Sequence, residues 1–261
     1  MVAMRARKRE KRSAAAARYP PAPDGLTLYL IGDIHGRLDL LRAVQRQVDE
    51  DRASVRSQRT LEIYLGDYID RGPDSAGVIS QLIGRAQQVE AVFLRGNHEQ
   101  LLLDFLHGVD CLGEWLAVGA TATMLSYGVA PDVLSRTLAV ETVRGHLSAA
   151  VPPEHQRFLE ETATYARVGA YLAVHAGLRP GISLEDQDAS DLLGIRREFL
   201  EHTGDFGCIV VHGHTPAIAP ELHPNRINID TGAFATSRLT CLRIAADGAR
   251  ILPSASRVGR K

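Results

Sequence analysis

The sequence lacks long apolar segments, and it is poor in cysteine. Its apolar runs extend over only a handful of residues, whereas a membrane-spanning helix needs about 20, so we do not expect an integral membrane protein. The first residues lack the apolar core of a secretory signal, and secretion is therefore not expected. The three cysteines form no CxxC pair and cannot all pair with one another. This cysteine usage indicates a reducing compartment and a cytoplasmic location.

Charge is distributed unevenly along the chain. Residues 1–20 contain seven basic side chains and one acid, so this segment has a net charge of +6, and the whole-chain charge of −1 leaves −7 for the rest. The composition predicts a basic, disordered tail over residues 1–25, with a weak electrostatic contact to nucleic acid or acidic membrane as the alternative. No basic stripe with interleaved aromatic side chains follows it, so no specific nucleic-acid binding is expected. Residues 254–261 are predicted to be a frayed basic end.

Short apolar runs alternate with segments of helical periodicity from residue 26 onward. The first strands are predicted at 26–31, 61–65 and 91–94, and the first helices at 38–51, 78–86 and 98–107. This β-α-β-α-β-α order predicts a sheet covered by helices, within one α/β domain over residues 26–253. Residues 108–163 are predicted to be mostly helical and to help shape a substrate groove. A further helix is predicted at 187–201, and further strands at 170–174, 208–211, 226–229, 239–244 and 250–252.

Polar clusters follow the predicted strands, and α/β sheets place their sites at such strand ends. These clusters are Gly32-Asp33-Ile34-His35-Gly36, Gly66-Asp67-Tyr68-Ile69-Asp70-Arg71-Gly72, Arg95-Gly96-Asn97-His98-Glu99, Val174-His175-Ala176-Gly177 and His212-Gly213-His214-Thr215-Pro216. Asp33 and His35 are two residues apart, so an extended segment would point both at one metal ion. Asp67 has two carboxylate oxygens and could bridge two metal ions roughly 3.5–4 Å apart.

The same clusters contain groups suited to phosphate and proton transfer. Arg71 offers a planar fork for phosphate oxygens, while the alternative for Asp70 and Arg71 is a helix-capping acid and a surface ion pair. Asn97 could give its amide oxygen to a metal, act as the N-cap of the helix that follows, or do both. His98 is not needed as a ligand and is free to transfer protons.

Two later histidines complete the candidate set. A lone histidine after a strand is usually structural, but His175 and His214 add imidazole nitrogens to the earlier carboxylates, a mixture that suits a pair of transition-metal ions. Trp115, in the helical segment, is interpreted as a core residue.

The motifs Gly-Asp-Ile-His-Gly, Gly-Asp-Tyr-Ile-Asp-Arg-Gly and Gly-Asn-His-Glu resemble the signature blocks of the phosphoprotein phosphatase family of metallophosphoesterases. The bacterial and phage protein-serine/threonine phosphatase branch is the most similar. The resemblance extends to His-Ala-Gly at 175–177 and Gly-His-Thr-Pro at 213–216, and so covers roughly residues 26–245. It implies an α/β fold, the four-layer α/β/β/α sandwich of the calcineurin-like metallophosphoesterase type.

The resemblance also implies roles for individual residues. One metal would be held by Asp33, His35 and Asp67, and the other by Asp67, Asn97, His175 and His214. Phosphate would be contacted by Arg71, Asn97, His98 and Arg196, although the segment before Arg196 has Gly194 where the family usually has tryptophan. His98, paired with Asp70, would be the general acid. Mn²⁺ is the first choice for the two metals, and the mixed oxygen and imidazole ligands also admit Fe or Zn.

The resulting prediction is a metal-dependent phosphomonoester hydrolase, a protein serine/threonine phosphatase that acts on phosphoproteins or phosphopeptides through a hydroxide shared by two metals. The alternatives are a symmetrical dinucleoside tetraphosphate (Ap4A) hydrolase, a broad small-molecule phosphoesterase, and a non-catalytic binding module with the same fold. By the same resemblance, Asp70, Arg71 and Glu99 favour the protein phosphatase, because symmetrical Ap4A hydrolases typically depart from the Asp-Arg-Gly and Gly-Asn-His-Glu forms. The complete set of ligands argues against the binding module. The oligomeric state stays open.

Overall fold

A computed structural model describes residues 19–55, 58–131 and 139–253. Most of the predicted N-terminal tail and the predicted C-terminal end therefore lie outside the described residues. Within these ranges the strands are β1 (Leu26–Ile31), β2 (Arg59–Tyr64), β3 (Ala91–Phe93), β4 (Tyr165–Val168), β5 (Tyr171–Val174), β6 (Ile209–His212), β7 (Glu221–Leu222), β8 (Arg226–Asn228), β9 (Cys241–Ala245) and β10 (Gly248–Ile251).

The first three predicted helices are present, together with several shorter ones. They are α1 (Leu38–Ser54), α2 (Ser75–Ala86), α3 (Asn97–Leu106), α4 (Leu112–Val118), α5 (Ala120–Ser126), α6 (Val140–Ala150), α7 (Pro153–Glu160), α8 (Ala189–Gly194), α9 (Arg197–Leu200) and α10 (Ala233–Thr236). A single turn of 3₁₀ helix spans Leu184–Asp186. The described part of segment 108–163 is mostly helical, as predicted.

The strands form two five-stranded sheets. The first has the order β10-β9-β1-β2-β3, in which β1, β2 and β3 are parallel and β9 runs antiparallel to β1. The second has the order β4-β5-β6-β8-β7, in which β5, β6 and β8 are parallel and both edge strands are antiparallel. The carboxyl ends of the parallel strands therefore gather at one edge of each sheet, where loops can assemble a site.

The alternation of side chains along β1 shows how the layers are built. Successive residues of a strand point to opposite faces. Leu28 and Leu30 pack with Tyr171 and Val211 between the two sheets, whereas Tyr29 and its neighbours on the same face pack with the helices. A third apolar cluster covers the outer face of the second sheet with α8 and α9. The predicted four-layer α/β/β/α sandwich is confirmed.

Residues 19 and 22, in the predicted tail, pack against the domain that follows residue 26. Tyr19 is buried and its hydroxyl donates to the carbonyl of His223, 2.8 Å away. The Ala22 amide donates to the Ala245 carbonyl over 3.2 Å, which places Ala22 against the end of β9. Composition could not reveal this because a single buried tyrosine in a basic, proline-rich segment has no periodicity.

The predicted helix over residues 187–201 is interrupted. The chain forms α8 and α9 with Ile195 extended between them, at φ −60° and ψ 140°. None of the helices within the described ranges is both long and apolar enough to cross a membrane. Cys111, Cys208 and Cys241 are all free thiols.

A buried ion-pair network fixes α2 against β2. Glu62 is fully buried and accepts from both Arg85 Nε (3.0 Å) and Arg85 Nη2 (2.6 Å), while Arg52 and the Tyr64 hydroxyl complete its contacts. Removing one partner of a buried pair leaves the other charge uncompensated, which costs more than the pair itself contributes.

Replacing Glu62 with alanine is expected to lower the free energy of unfolding by about 3 kcal/mol, because Arg85 would lose its buried carboxylate and keep only the half-exposed Asp49. Urea unfolding followed by circular dichroism measures this loss. The matched control is Glu90→Ala, which removes an ion pair whose side chains are 50% and 69% exposed and is expected to cost at most about 1 kcal/mol. Equal losses in the two variants would contradict the interpretation.

Candidate metal centre

The candidate residues come together from both sheets at the carboxyl ends of the parallel strands. In the first sheet, β1 is followed by Asp33 and His35, and β2 by Asp67, Asp70 and Arg71. After β3 comes α3, which begins with Asn97 and His98. In the second sheet, β5 is followed by His175 and β6 by His214. The sequence places these residues up to 181 positions apart, yet Asp33 and His214 are in direct hydrogen-bond contact.

Asp67 lies at the middle of this group. Its Oδ2 is 3.5 Å from His35 Nε2 and 3.7 Å from His98 Nε2, and its Oδ1 is 3.3 Å from His175 Nε2. The donor atoms fall into two sets of three residues, and Asp67 belongs to both. Within each set the three donor atoms lie within 4.8 Å of one another. One set adds His35 and His98, and the other adds His175 and His214. Asp67 is therefore the acid that the two sets have in common.

Asn97 joins the second set. Its Oδ1 is 3.1 Å from His175 Nε2 and 2.9 Å from His214 Nδ1. The alternative interpretation of Asn97 as the N-cap does not hold, because the N-cap is Gly96 and Asn97 is the first residue of α3. Its side chain is therefore directed into the site instead of back over the helix end.

Asp33 reaches the site by a different route from the one predicted. β1 ends at Ile31, and His35 has a φ of +45°, so the two residues do not lie in one extended segment. Instead, Asp33 Oδ2 accepts from the backbone amide of His214 over 2.9 Å. The predicted pair is close to the centre, but the argument from strand periodicity is wrong for the loop.

The acids of the site are crowded and buried. Burial, together with the charges of Asp230 and Asp67, raises the pKa of Asp33 well above its usual range. Burial likewise raises the pKa of Asp230 to about 6 and, with Asp67, that of Glu99 to about 7. Burial would also raise the pKa of Asp67, but the surrounding histidines, His175 first, lower it below its ordinary value. A cation in this position would relieve the mutual repulsion of these acids.

The imidazoles are held in the form that binds metals. Burial lowers the pKa of His35 and of His214 to about 3, and it also lowers the pKa of His175. His35 Nδ1 lies 2.9 Å from the Ile69 carbonyl and His175 Nδ1 lies 2.8 Å from the Leu65 carbonyl. Because a carbonyl can only accept, Nδ1 carries the proton in both rings and Nε2 keeps its lone pair toward the centre.

Two unsatisfied atoms test whether metal ions fit here. Buried polar side-chain atoms are nearly always hydrogen-bonded. Asp33 Oδ1 and His214 Nε2 are buried and have no hydrogen-bond partner within the described ranges. Both atoms belong to predicted ligands, and mixed oxygen and imidazole donors suit divalent transition metals. The residues present therefore fit divalent cations, while Mn²⁺ as their identity stays a prediction.

His98 is paired with Asp70 by a short contact. His98 Nδ1 lies 2.6 Å from Asp70 Oδ2, which also accepts from the Trp115 indole over 2.8 Å. The Thr123 hydroxyl donates to Asp70 Oδ1 over 2.5 Å. Burial lowers the pKa of His98, but Asp67 and Asp70 outweigh it, and the net result is a raised pKa. With Nδ1 held by Asp70, Nε2 faces Asp67 at the centre and is the nitrogen from which His98 could give a proton.

Sequence reasoning missed the groups that hold Asp70. Trp115 is fully buried, as predicted for a core residue, and it is also a hydrogen-bond donor to the site. Thr123 contacts Asp70 from α5, and nothing in its local spacing distinguishes it from other helical threonines. The segment 108–163 thus supports the site residues directly, while its role in shaping a substrate groove stays a prediction.

Glu99 was also missed as a structural part of the site. Its carboxylate accepts from the backbone amides of Asp67, Tyr68 and Gly96, each over 2.8 Å. It occupies the third position of α3, where a glutamate commonly returns to cap the helix start. That spacing was the signal that could have revealed it.

The two predicted phosphate-binding arginines are placed differently. Arg71 is exposed and directs Nη1 to His35 Nε2 (2.9 Å) and Nη2 to His98 Nε2 (3.1 Å). Arg196 is exposed between α8 and α9, and its charge contributes to the lowered pKa of His175 and His214, after burial. Arg71 therefore contacts the centre, whereas Arg196 acts on it through charge.

The backbone of the site is strained. Among the described residues outside glycine, a positive φ occurs at Ser237 and at five site residues, which are His35, Asp67, Asp70, Arg71 and His214. Such conformations are uncommon for residues with a side chain and cluster where function requires a fixed geometry.

Comparison with known proteins relates this site to a family. A sequence profile of calcineurin-like phosphoesterases matches residues 26–240. The asymmetrical bis(5'-nucleosyl)-tetraphosphatase PrpE of Anoxybacillus flavithermus is 28% identical over 235 residues, covering 82% of this chain and 89% of that protein. The protein of the same name from Oceanobacillus iheyensis is 28% identical over 242 residues, covering 82% and 87%.

Solved structures share the fold. A crystal structure of a protein provisionally named a diadenosine tetraphosphatase superposes with a TM-score of 0.60 at 19% identity, covering 87% of this chain and 93% of that one. A Saccharomyces cerevisiae protein serine/threonine phosphatase gives 0.53 at 11% identity, covering 97% and 89%. At these identities the likeness concerns the fold alone. The profile match covers most of the chain and agrees with the sandwich and its clustered ligands: this chain belongs to the calcineurin-like phosphoesterase family.

Proposed function

We propose that this metallophosphoesterase is a dinucleoside tetraphosphate hydrolase of the asymmetrical kind, which yields a nucleoside monophosphate and a nucleoside triphosphate. The observation that carries the proposal is the shared name of its curated relatives. The two compared above are both called asymmetrical bis(5'-nucleosyl)-tetraphosphatases and align with 82% of this chain. The predicted symmetrical Ap4A hydrolase shares the substrate of this proposal but differs in the bond that is cut.

The expectation of phosphoprotein or phosphopeptide substrates is wrong. Relatives that align over most of their length are named for small nucleotide substrates. The residues that favoured a protein phosphatase have other tasks: Glu99 accepts from backbone amides, and Asp70 holds His98. Both contacts are within the protein and do not involve the group attached to the phosphate. Neither residue could therefore identify the substrate class.

We propose that the metal ligands are the two sets predicted from the sequence. Asp33, His35 and Asp67 would hold one divalent cation, and Asp67, Asn97, His175 and His214 the other. Bound there, the cations would supply Lewis-acid stabilisation of phosphate charge and lower the pKa of water at the site.

The chain's own polar groups would handle the substrate. The Arg71 fork and the Asn97 amide lie beside the candidate ligands, where they can orient phosphate oxygens. Arg196 would add positive charge on the side of His175 and His214. In hydrolysis the oxygen of water joins one phosphorus, the P–O–P bond to the next phosphate breaks, and the bridging oxygen leaves with the longer fragment. His98, oriented by Asp70, would give that oxygen a proton.

A substrate comparison tests the function. With Mn²⁺ present, kcat/KM for diadenosine tetraphosphate is expected to exceed that for a phosphoserine peptide by roughly 100-fold, since only the dinucleotide supplies two nucleosides for binding. Anion-exchange chromatography of the products should give equal amounts of AMP and ATP. Two molecules of ADP would contradict the asymmetrical cut, and a preference for the peptide would contradict the proposal as a whole.

Metal removal tests the centre. Stripping the protein with a chelator is expected to abolish activity and to lower Tm, because ligands that bind the folded state at 100 times Kd stabilise it by about 2.7 kcal/mol. Adding Mn²⁺ back should restore both. In Asp67→Asn, added Mn²⁺ should raise Tm less than in the wild type. Full activity of the stripped wild type would reject metal dependence.

Substitution of His98 separates proton donation from metal binding. His98→Asn is expected to lower kcat by about 10²–10⁴-fold while the protein keeps its metals, because a positioned general acid contributes that much. The matched control is His107→Asn, at a histidine whose side chain is 54% exposed.

Elemental analysis of the same preparations decides between the two roles. His98 is grouped with His35 and Asp67, and its Nε2 lies 3.7 Å from Asp67 Oδ2, so loss of one metal per chain in His98→Asn would identify His98 as a ligand. That result would contradict its assignment as the proton donor.

A further inference from the structure

A cleft opens directly beside the candidate metal centre. It has a volume of about 620 Å³ and lies between the loop after β1, the loop after β2 and the helix α10. Its lining includes Arg71 and Phe234 together with Arg42, Asp39 and Asp74. No predicted site residue other than Arg71 contributes to it, so the cleft is separate from the ligand sets.

Phe234 is the aromatic residue of this cleft. Its ring centroid is 5.5 Å from that of His35, and the Arg71 guanidinium carbon lies 4.9 Å from the ring centroid. The side chain nevertheless stays 38% exposed. More than a third of Phe234 is therefore accessible to a molecule in the cleft, beside a predicted metal ligand and a predicted phosphate-binding arginine.

The helix that carries Phe234 is held firmly. The largely buried Arg37 donates from Nη1 to the Ala233 carbonyl (2.9 Å) and to the Ser237 hydroxyl (3.2 Å). These two residues precede and follow Phe234 in the chain. Asp39 accepts from Arg37 Nε and Nη2 at 2.8 Å each, which fixes the guanidinium in place. The backbone that carries the exposed ring is therefore held in place.

We propose that Phe234 stacks against a nucleobase of the substrate, and that this base belongs to the nucleoside whose own phosphate is attacked. The inference rests on the proposed dinucleotide hydrolase function and names the subsite that function requires. Every nucleobase has a π-face, and stacking on an aromatic side chain is a common means of binding it.

The charges around the ring suit the rest of a nucleotide. Arg71 and the exposed Arg42 provide positive charge for the phosphate chain. Asp39 already accepts from Arg37 and Asp74 from the Gly77 amide, but each carboxylate has further lone pairs that can accept from ribose hydroxyls. A base on Phe234 would thus have a ribose on the acidic side of the cleft and phosphates toward Arg71.

The position of the ring also favours the asymmetrical cut. Phe234 contacts the ring of His35, a predicted metal ligand, so a stacked base lies next to the centre. The phosphorus bonded directly to that nucleoside is the one that reaches the centre through the fewest bonds. Water adds its oxygen there, the bond from that phosphorus to the bridging oxygen breaks, and the triphosphate leaves with that oxygen and a proton. The products are the monophosphate held at Phe234 and a nucleoside triphosphate.

Variants of Phe234 test the inference. Phe234→Leu keeps an apolar side chain of similar size without a π-face, and Phe234→Tyr keeps the face. Both are compared with the wild type on diadenosine tetraphosphate and on inorganic tetraphosphate, which has the same P–O–P bonds and no base. The ratio of the two kcat/KM values is expected to fall about 5- to 150-fold in Phe234→Leu and to stay near the wild type in Phe234→Tyr. The share of ADP among the products should rise in Phe234→Leu.

The control is Tyr165→Ala, at an aromatic residue of almost equal exposure (37%) on β4, the edge strand of the second sheet, for which no change in the ratio is expected. Calorimetric titration provides a second readout, in which AMP should bind the wild type more tightly than ribose 5-phosphate, and this preference should vanish in Phe234→Leu.

The outcomes distinguish failure of the Phe234 subsite from failure of the proposed hydrolase function. If the wild type does not cleave diadenosine tetraphosphate, the proposed function fails, and the subsite fails with it. If the wild type does cleave it but Phe234→Leu keeps the wild-type ratio and products, only the subsite is overturned. Equal losses on both substrates would show that Phe234 acts through Arg71, which also overturns the stacking role.

Discussion

One buried carboxylate, that of Glu99, joins the loops that follow β2 and β3, and the geometry of the centre depends on this junction. Glu99 accepts from amides of both loops, at Asp67 and Tyr68 on one side and at Gly96 on the other. The loops can approach this closely because Gly96 has no side chain: a Cβ there would lie 2.2 Å from Asp67 Oδ1. Asp67 is thereby held beside Asn97 and the histidines instead of being positioned by its own strand.

The arrangement concentrates negative charge that the fold alone does not neutralise. Asp33, Asp67, Glu99 and Asp230 are each at most 2% exposed, and the pKa of three of them is raised by burial and by one another. Isolated ionised carboxylates are costly to bury. The backbone is also strained at five site residues. Both features lower the stability of the folded protein, as expected where residues are arranged to bind cations.

Much of the centre could be predicted from the sequence because strand ends are local signals, while the substrate could not. Asp33, Asp67, Asn97, His175 and His214 each follow an apolar run, and the parallel order of the strands brings such positions together. The break at Ile195 and the edge strand β4 carry no such signal, since β4 alternates exposed and half-buried residues without a clear apolar face. Thr123 and Trp115 reach Asp70 only through helix packing, which a single sequence does not encode as a motif.

The motif residues misled the choice of substrate for a physical reason. In the proposed function the groups of the centre would act on metal ions, water and phosphate oxygens, which esters of proteins and anhydrides of nucleotides have in common. What distinguishes these substrates lies beyond the phosphate, so the residues that discriminate must line the approach to the centre. Phe234 meets this condition: it stands next to His35 and Arg71, faces a cleft, and lies in no cluster of the sequence that suggested chemistry. In the proposed function the reaction therefore depends on residues at the strand ends, and the choice of substrate depends on the surfaces beside them.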